Sequence, residues 1–227
     1  MKIVQRLATA AVAAALLGGC AATHNPDDPL EGYNRAMFRI NDTVDRVALK
    51  PVATVYRDVT PSFMQTGVYN FFANLADVWT AANNLLQGNM ANGAQDIMRV
   101  AVNTTFGLGG LIDVASQAGM EKHVQDFGVT LGVWGVPSGP YIVLPFMGAS
   151  TLRDTAALPL DFKGDLWLHV DPTSARNAGT LLRVVDQRAA ILDASNLIED
   201  AALDRYAFVR DGFLQRRAGK IERSRGD

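Results

Sequence analysis

From Leu30 to Val47 apolar side chains recur at helical spacing, with Leu30, Tyr33, Met37, Ile40, Val44 and Val47 on one face and Glu31, Arg35, Arg39, Asp42 and Asp45 on others. This predicts an amphipathic helix. Asp28-Pro29-Leu30-Glu31 reads as its start, Asp28 capping, Pro29 in the first turn and Glu31 completing a capping box. Pro51 is expected to close the segment. A second helix follows Pro61, where Val68, Phe71, Phe72, Leu75, Trp79, Ala82 and Leu86 form an apolar stripe ending near Gly88. Its other stripe, Thr66, Asn70, Asn74, Asp77 and Asn84, is polar but almost uncharged. Such amides either bond neighbouring turns or form a surface that tolerates both a wet headgroup and hydrocarbon. A third, short helix is expected around Ile97, Met98, Ala101 and Val102. Towards the C-terminus Ala178, Leu181, Leu182, Val185, Ala189 and Leu192 repeat helically, as do Tyr206, Val209, Phe213 and Leu214. No strand pattern of comparable length appears, so the expected class is all-α, a single domain without internal repeats.

Charge changes this picture in the middle of the chain. Residues 59–152 carry 7 charged side chains, against 24 in residues 153–227. A soluble domain spreads charge over its surface, so the depleted stretch is either a core wrapped by charged ends or a surface that meets lipid. Its longest uncharged run, Phe127 to Leu152, holds five glycines and three prolines and cannot be one straight helix. At membrane depth such backbone is tolerated only where protein or a water-filled cavity satisfies it. The run is therefore a buried loop or a bent segment beside a pore. The overall balance, 21 basic against 23 acidic residues without a long basic block, gives no footprint for nucleic acid.

The first 19 residues stand apart. Lys2 and Arg6 precede the apolar or small run Leu7–Gly19, too short to span a bilayer and typical of a secretory signal. Leu17-Gly18-Gly19-Cys20 resembles a bacterial lipobox, with Cys20 the one cysteine of the chain. Acylated Cys20 would leave no thiol chemistry, and several acyl chains hold a protein stably where one does not. Resemblance to lipoproteins implies a diacylglycerol and an N-acyl chain on Cys20. It also implies the outer membrane as destination, because Ala21 rather than Asp follows. Arg216, Arg217, Lys220, Arg223 and Arg225 form a basic end that suits a helix terminus.

The sequence carries none of the common catalytic or nucleotide-binding motifs. Gly148-Ala149-Ser150-Thr151-Leu152 lacks the closing glycine of a nucleophile elbow. His24, His123 and His169 are scattered, without the spacing of metal ligands. Gly107-Leu108-Gly109 has Ile112 where a dinucleotide fingerprint needs its third glycine, and there is no phosphate loop of the Gly-x-x-x-x-Gly-Lys type. Neither an enzyme nor a metal site is expected, and the carboxylate pairs Asp27/Asp28 and Glu199/Asp200 read as helix-start and surface charge.

Several blocks, in order, resemble one family, the MlaA/VacJ outer-membrane lipoproteins. They are Asp28-Pro29-Leu30-Glu31-Gly32-Tyr33-Asn34-Arg35 with Phe38 and Asn41, Asn70-Phe71-Phe72-Ala73-Asn74-Leu75, Leu86-Gln87-Gly88, and Asn103 through Asp113. Asp126-Phe127-Gly128, Thr130-Leu131-Gly132, Gly139-Pro140-Tyr141, Leu144-Pro145, Arg153-Asp154, Tyr206, Arg210 and Gln215-Arg216-Arg217 complete the set. Departures are Gln125 in place of Glu, Ala149 in place of Pro, and Pro137 in a loop the family is thought to use as a gate.

The resemblance implies a ring-like single domain of amphipathic helices around a central channel, preceded by a signal peptide. Its parts would be signal 1–19, lipidated tether 20–27, helical domain 28–217 and basic tail 218–227. It implies a protein anchored in the inner leaflet of the outer membrane and facing the periplasm. There it would remove misplaced phospholipid from the outer leaflet, associate with a porin trimer of OmpC or OmpF type, and pass lipid to the periplasmic carrier MlaC. Gate candidates are Gly135, Gly139, Pro140 and Tyr141, and channel-lining candidates Asn41, Asn70, Phe71 and Asn74. A structural lipoprotein that only binds porin is the alternative. Stripping two acyl tails of ~30 CH₂ groups into water would cost on the order of 24 kcal/mol, so a lipid path needs apolar walls with a polar edge.

Overall fold

The computed structural model describes residues 28–226. The signal segment, Cys20 and the tether lie outside the described residues.

The first amphipathic pattern forms α1 (Glu31–Val44), but Pro51 does not end it. The chain passes through one π-helical turn, Asp45–Leu49, and continues as α2 (Lys50–Val59). Lys50 N–H reaches back five residues to Asp45 O, and Pro51, lacking a donor, sits in the first turn of the resumed helix. There a missing N–H costs little. The π turn also keeps the outer face in register. Ile40, Val44, Val47, Val52, Val55 and Val59 are all exposed, and the single five-residue step among them, from Val47 to Val52, spans that turn.

Asp28 does not cap α1. Its backbone carbonyl accepts from Glu31 N–H, while its carboxylate, fully buried, turns inward to partners from the far end of the chain. Helix α3 (Ser62–Leu86) runs as expected, and α4 (Met90–Phe106) is far longer than the short helix anticipated. The weak apolar signal of α4 has a direct cause. The side that it buries carries Gly93, Asp96, Arg99 and Asn103, while Ile97 and Met98 face out.

The uncharged run Phe127–Leu152 folds as helix α6 (Phe127–Val133), a loop, and an antiparallel hairpin of β1 (Tyr141–Leu144) and β2 (Gly148–Thr151). Tyr141 pairs with Thr151 and Leu144 with Gly148. The short α5 (Val114–Gln117) precedes this run. After it come α7 (Leu152–Gly164), a 3-10 turn (Leu166–His169), α8 (Thr173–Ala190), α9 (Leu192–Ala201) and α10 (Arg205–Gly226). Helix α10 crosses residues 217 and 218 without a break, so the basic end continues the domain's last helix. The all-α expectation holds apart from the four-residue strands, too short to leave a period in the sequence.

Packing runs in a closed circuit. α2 lies on α8, α8 on α3, α3 on α6, α6 on α10, α10 on β2, and β1 on α1, which leads back to α2. Burial within this circuit is inverted relative to a water-soluble bundle. Apolar clusters are small: Ala53, Ala189 and Leu192 with Tyr56 and Val185, and Tyr141, Val143 and Tyr206 with Met37, Phe38 and Phe213. Much of the interior is instead polar, with Asn34, Asp77, Asn83, Asn84, Asp96, Arg99 and Thr130 all essentially inaccessible. Outside, Val47, Phe63 and Phe146 expose 74%, 75% and 77% of their surface, and Phe106, Leu108 and Leu197 are similarly bare. The charge-poor middle of the chain is therefore no sealed core, because many of its apolar side chains, Phe63, Phe106, Leu108 and Phe146 among them, point outward.

Candidate functional site

Three ionic nodes hold the circuit. In the first, Asn34 Nδ2 donates to Asp28 Oδ1 (3.0 Å) and to Tyr141 O (2.9 Å), and its Oδ1 accepts from Val143 N–H (2.8 Å). Tyr206 Oη donates to Asp28, and Arg210 lies 3.3 Å from the same carboxylate. The start of α1, the hairpin and α10 are thus tied through one carboxylate. Burial, and then the Asp28 carboxylate, push the Tyr206 hydroxyl far above the usual phenol range.

In the second, the fully buried Arg99 of α4 forks onto Asp113 (3.1 Å to each oxygen), reaches Ser116 Oγ (3.0 Å) and Met120 O (2.8 Å), and lies 3.5 Å from Asp77. Asn103 adds a bond to Asp113 and receives Ala115 N–H. This explains why Asn103 and Asp113 bracket a glycine-rich loop: the glycines bring the two ends together and throw Phe106 and Leu108 outward. Burial would raise the Asp113 carboxyl, but the bonds from Ser116 and Asn103 and the Arg99 charge outweigh it and hold it well below the usual range.

In the third, Arg217 bridges Asp126 (2.5 and 2.8 Å) and Asp154 (2.8 and 2.9 Å), with Arg153 also on Asp154 (3.0 Å). Gly128 is a steric necessity here, since a Cβ would fall 2.6 Å from both Arg217 Nη2 and Asp154 Oδ1. Burial opposes ionisation of Asp126, but the Arg217 bonds prevail and keep its carboxyl below the ordinary range.

Between these nodes lie two cavities that meet. The larger, about 370 Å³, is bordered by Trp79 and Thr80 of α3, Leu158 and Asp161 of α7, and Phe213 and Arg217 of α10, together with Ser150, Asp165 and Arg183. The smaller, about 200 Å³, is bordered by Tyr69, Phe72, Asp77, Lys122, Asp186 and Gln187. Ala76, Thr80, Val124 and Arg183 line both. Arg183 pairs with Asp165 (2.7 Å) and stands 5.6 Å over the Phe72 ring. Trp79 Nε1 and Phe127 N–H both donate to Asp161 Oδ1 at 2.8 Å, yet burial dominates and raises that carboxyl, as it raises those of Asp77 and Asp186. The walls combine apolar rings with paired charges, an amphipathic lining.

The anticipated residues lie elsewhere. Asn41 clamps the hairpin turn, donating to Leu144 O (2.8 Å) and accepting from Phe146 N–H (2.8 Å). Asn70 bonds Leu111 O (3.2 Å) and Asn74 bonds Thr104 Oγ1 (3.0 Å), both stapling α3 to the α4 region, and Phe71 packs edge-on against Phe72 and Trp167. Asn70, Asn74 and Asn84 of the amide stripe thus bond Leu111, Thr104 and Asp96 of other segments, rather than neighbouring turns of their own helix. None of the four anticipated lining residues borders the joined cavities. Gly135 and Gly139 take left-handed backbone in the loop before β1, Pro140 O accepts from Leu152 N–H (3.0 Å), and Tyr141 is buried with its hydroxyl pushed up to about 12 by burial. That loop is pinned at Ser138 as well, by Arg153 N–H at 3.0 Å. The cavity-lining Asp154, Leu158 and Asp161 share an i, i+4, i+7 face of α7, a helix that Pro159 conceals in the sequence pattern. Trp79 and Phe213 stand in separate apolar stripes of the sequence and Arg183 in neither, and only folding brings these three distant segments together.

A family model described as MlaA lipoprotein matches residues 26–220. The chain belongs to the MlaA lipoprotein family. It is 36% identical over 222 residues to the Intermembrane phospholipid transport system lipoprotein MlaA of Escherichia coli strain K12, covering 93% of this chain and 86% of that one. To the MlaA of Haemophilus influenzae it is 32% identical over 226 residues, with 94% and 89% covered. A solved chain from a study of the structural basis for maintenance of bacterial outer membrane lipid asymmetry superposes with a TM-score of 0.75 at 34% identity, covering 86% of this chain and 98% of that one. Of the blocks that resemble the MlaA family in sequence, those holding Asp28, Asn34, Asn103, Asp113, Asp126, Asp154 and Arg217 supply side chains to the three nodes.

Proposed function

We propose that this chain is an outer-membrane lipoprotein of an intermembrane phospholipid transport system. It takes misplaced phospholipid from the outer leaflet through its amphipathic interior and passes it to a periplasmic carrier of the MlaC type, maintaining lipid asymmetry. The observation that carries this reading is the inverted burial: valines, phenylalanines and leucines outside, paired charges and amides inside. In water such an exterior would be unfavourable at about 25 cal/mol per Å². Against acyl chains it is at home, and the stripe along α1 and α2 suits a helix lying in the leaflet plane. Among the described residues no helix is long and apolar enough to cross a membrane. The interior offers charge for a headgroup and Trp79, Leu158, Phe72 and Phe213 for the tails. Acyl chains on Cys20 supply the anchor, and a porin trimer of OmpC or OmpF type is the membrane partner that the family implies. Directionality comes from these partners, since the chain has no nucleotide motif.

The test is deletion of the gene followed by labelling of outer-leaflet phospholipid, with complementation by the native chain and by Cys20→Ala. Accumulation reversed by the native chain but not by Cys20→Ala is the expected result. Unchanged outer-leaflet phospholipid in the deletion strain would overturn the reading.

A further inference from the structure

A third cavity, about 400 Å³, adjoins the other two and differs from them in character. It is bordered by Asn92, Glu121, Lys122, His123, Val124, Gln125, Lys220, Arg223 and Ser224. Val124 lines all three cavities, Lys122 is shared with the smaller and Gln125 with the larger. The strap from Lys122 to Gln125 is therefore the partition between this vestibule and the amphipathic interior.

The strap is held on both sides. Lys122 Nζ donates to Asp77 (2.6 Å), His123 Nδ1 lies 2.8 Å from Asp96, and Gln125 N–H reaches Thr80 Oγ1 at 3.3 Å. From α10, Lys220 Nζ donates to Val124 O (3.2 Å), and Gln125 Nε2 donates to Ser224 Oγ (2.9 Å). Two of the vestibule's basic groups are thus matched by carboxylates. The other two are not: among the described residues no carboxylate lies within ion-pair distance of Lys220 or Arg223. An ammonium carries three donors and a guanidinium five, and one carbonyl uses one of them. Burial lowers the affinity of Lys220 for its proton; the Asp126 carboxylate, beyond ion-pair distance, opposes this, and nearby Arg217, Arg216 and Arg223 add to it. Glu121 is the lone carboxylate on this wall, so the lining stays net positive. Gln125 Oε1, on the shared wall, is a buried acceptor without a partner among the described residues, free for a headgroup hydroxyl or ammonium.

We infer that the vestibule beside Lys220 and Arg223 is a subsite for a phosphodiester anion, where the headgroup of a phospholipid rests while its tails occupy the adjoining amphipathic cavities. The inference rests on the lipid-transport reading and names the subsite at its mouth. A phosphodiester presents two anionic oxygens, which fit the fork of Arg223 and the point charge of Lys220. The strap then acts as a sill, with Val124 touching the tail side and Gln125 the headgroup side.

The experiment uses the full mature, acylated chain in detergent, titrated calorimetrically with dihexanoylphosphatidylglycerol and separately with inorganic phosphate. Lys220→Gln with Arg223→Gln should weaken short-chain lipid binding by about tenfold or more, given two lost charge-assisted contacts. Lys220→Arg with Arg223→Lys should restore it. Native lipid affinity in the Gln variant overturns the subsite and leaves the transport reading standing, whereas a native chain that binds no lipid overturns the transport reading itself. Inorganic phosphate binding as tightly as the lipid assigns the vestibule to a free anion and overturns the headgroup role. Should the Gln variant lose helical content, the unmutated chain still decides. Lipid titration must then shift the Lys220 and Arg223 side-chain resonances, and unmoved resonances under saturating lipid count against the proposal.

Discussion

Arg99 is a guanidinium with no contact to water, held by Asp113, Asp77, a hydroxyl and a carbonyl. Removing one member of a buried pair strands the other, at a cost of about 3–5 kcal/mol. Arg99→Ala is accordingly expected to lower unfolding stability by that amount in chemical denaturation, with unchanged midpoint the result that contradicts it. Asp161 is the opposite case, a carboxylate whose two hydrogen bonds do not offset its burial. Its folded carboxyl is raised above the unfolded value of about 3.9. Its contribution to stability is thus full below the unfolded value and is lost as pH rises through the folded one. Asp161→Asn keeps an acceptor for Trp79 and Phe127 without the charge. The variant should melt higher than the native chain at pH 7, with the difference closing as the pH falls below about 4. A melting difference independent of pH would show that ionisation of Asp161 is not the cause. At this scale the sequence was partly legible. It marked Asn34, Asn103, Asp113, Asp126 and Arg217 as members of recurring blocks, but not which partner each would meet, because node partners stand as far as 182 residues apart.

The long N-terminal helix shows what an element can encode. Its apolar stripe takes one five-residue step, and the π turn at Asp45–Leu49 absorbs it while presenting Asp45 to Arg188 at 2.7 Å. Inserting one alanine after Ala48 would lengthen the step from Val47 to Val52 to six residues, one more than the π turn absorbs, and rotate α2 by about 100° relative to α1. Val52, Val55 and Val59 would swing away from the outer face. The expected outcome is weaker partitioning into phospholipid vesicles together with a lower melting temperature, as the Tyr56–Asp186 bond on the inner side is also lost. An insertion variant that matches the native chain in both measurements would show that the register set by the π turn has no such role. Periodicity revealed the helix here but not the turn, since a proline at position 51 reads locally as a stop and only the packing of α8 makes a continuation favourable. Helix α4 was misjudged for the converse reason: its buried side is polar, and a hydrophobic period reports only helices that bury apolar groups.

For the whole molecule the decisive feature is the sign of its amphipathicity. Val47→Asp together with Val55→Asp places two charges on the outer face, away from every node. Surface substitutions of this kind alter folding stability by about 0.5 kcal/mol or less, whereas carboxylates facing hydrocarbon are strongly disfavoured. Vesicle partitioning should fall severalfold at unchanged thermal stability; undiminished partitioning would mean that this face does not meet lipid. Local signals alone established that the chain is helical, that its centre is poor in charge, and that its blocks match one lipoprotein family, because spacing, composition and motif order are properties of the linear chain. Which way the helices face was decided only by tertiary structure. An apolar stripe is equally compatible with a core and with an oily exterior, and the choice follows from where buried carboxylates find their guanidinium partners. Those partnerships join the two ends of the chain and close its circuit, so they exist only once the chain is folded.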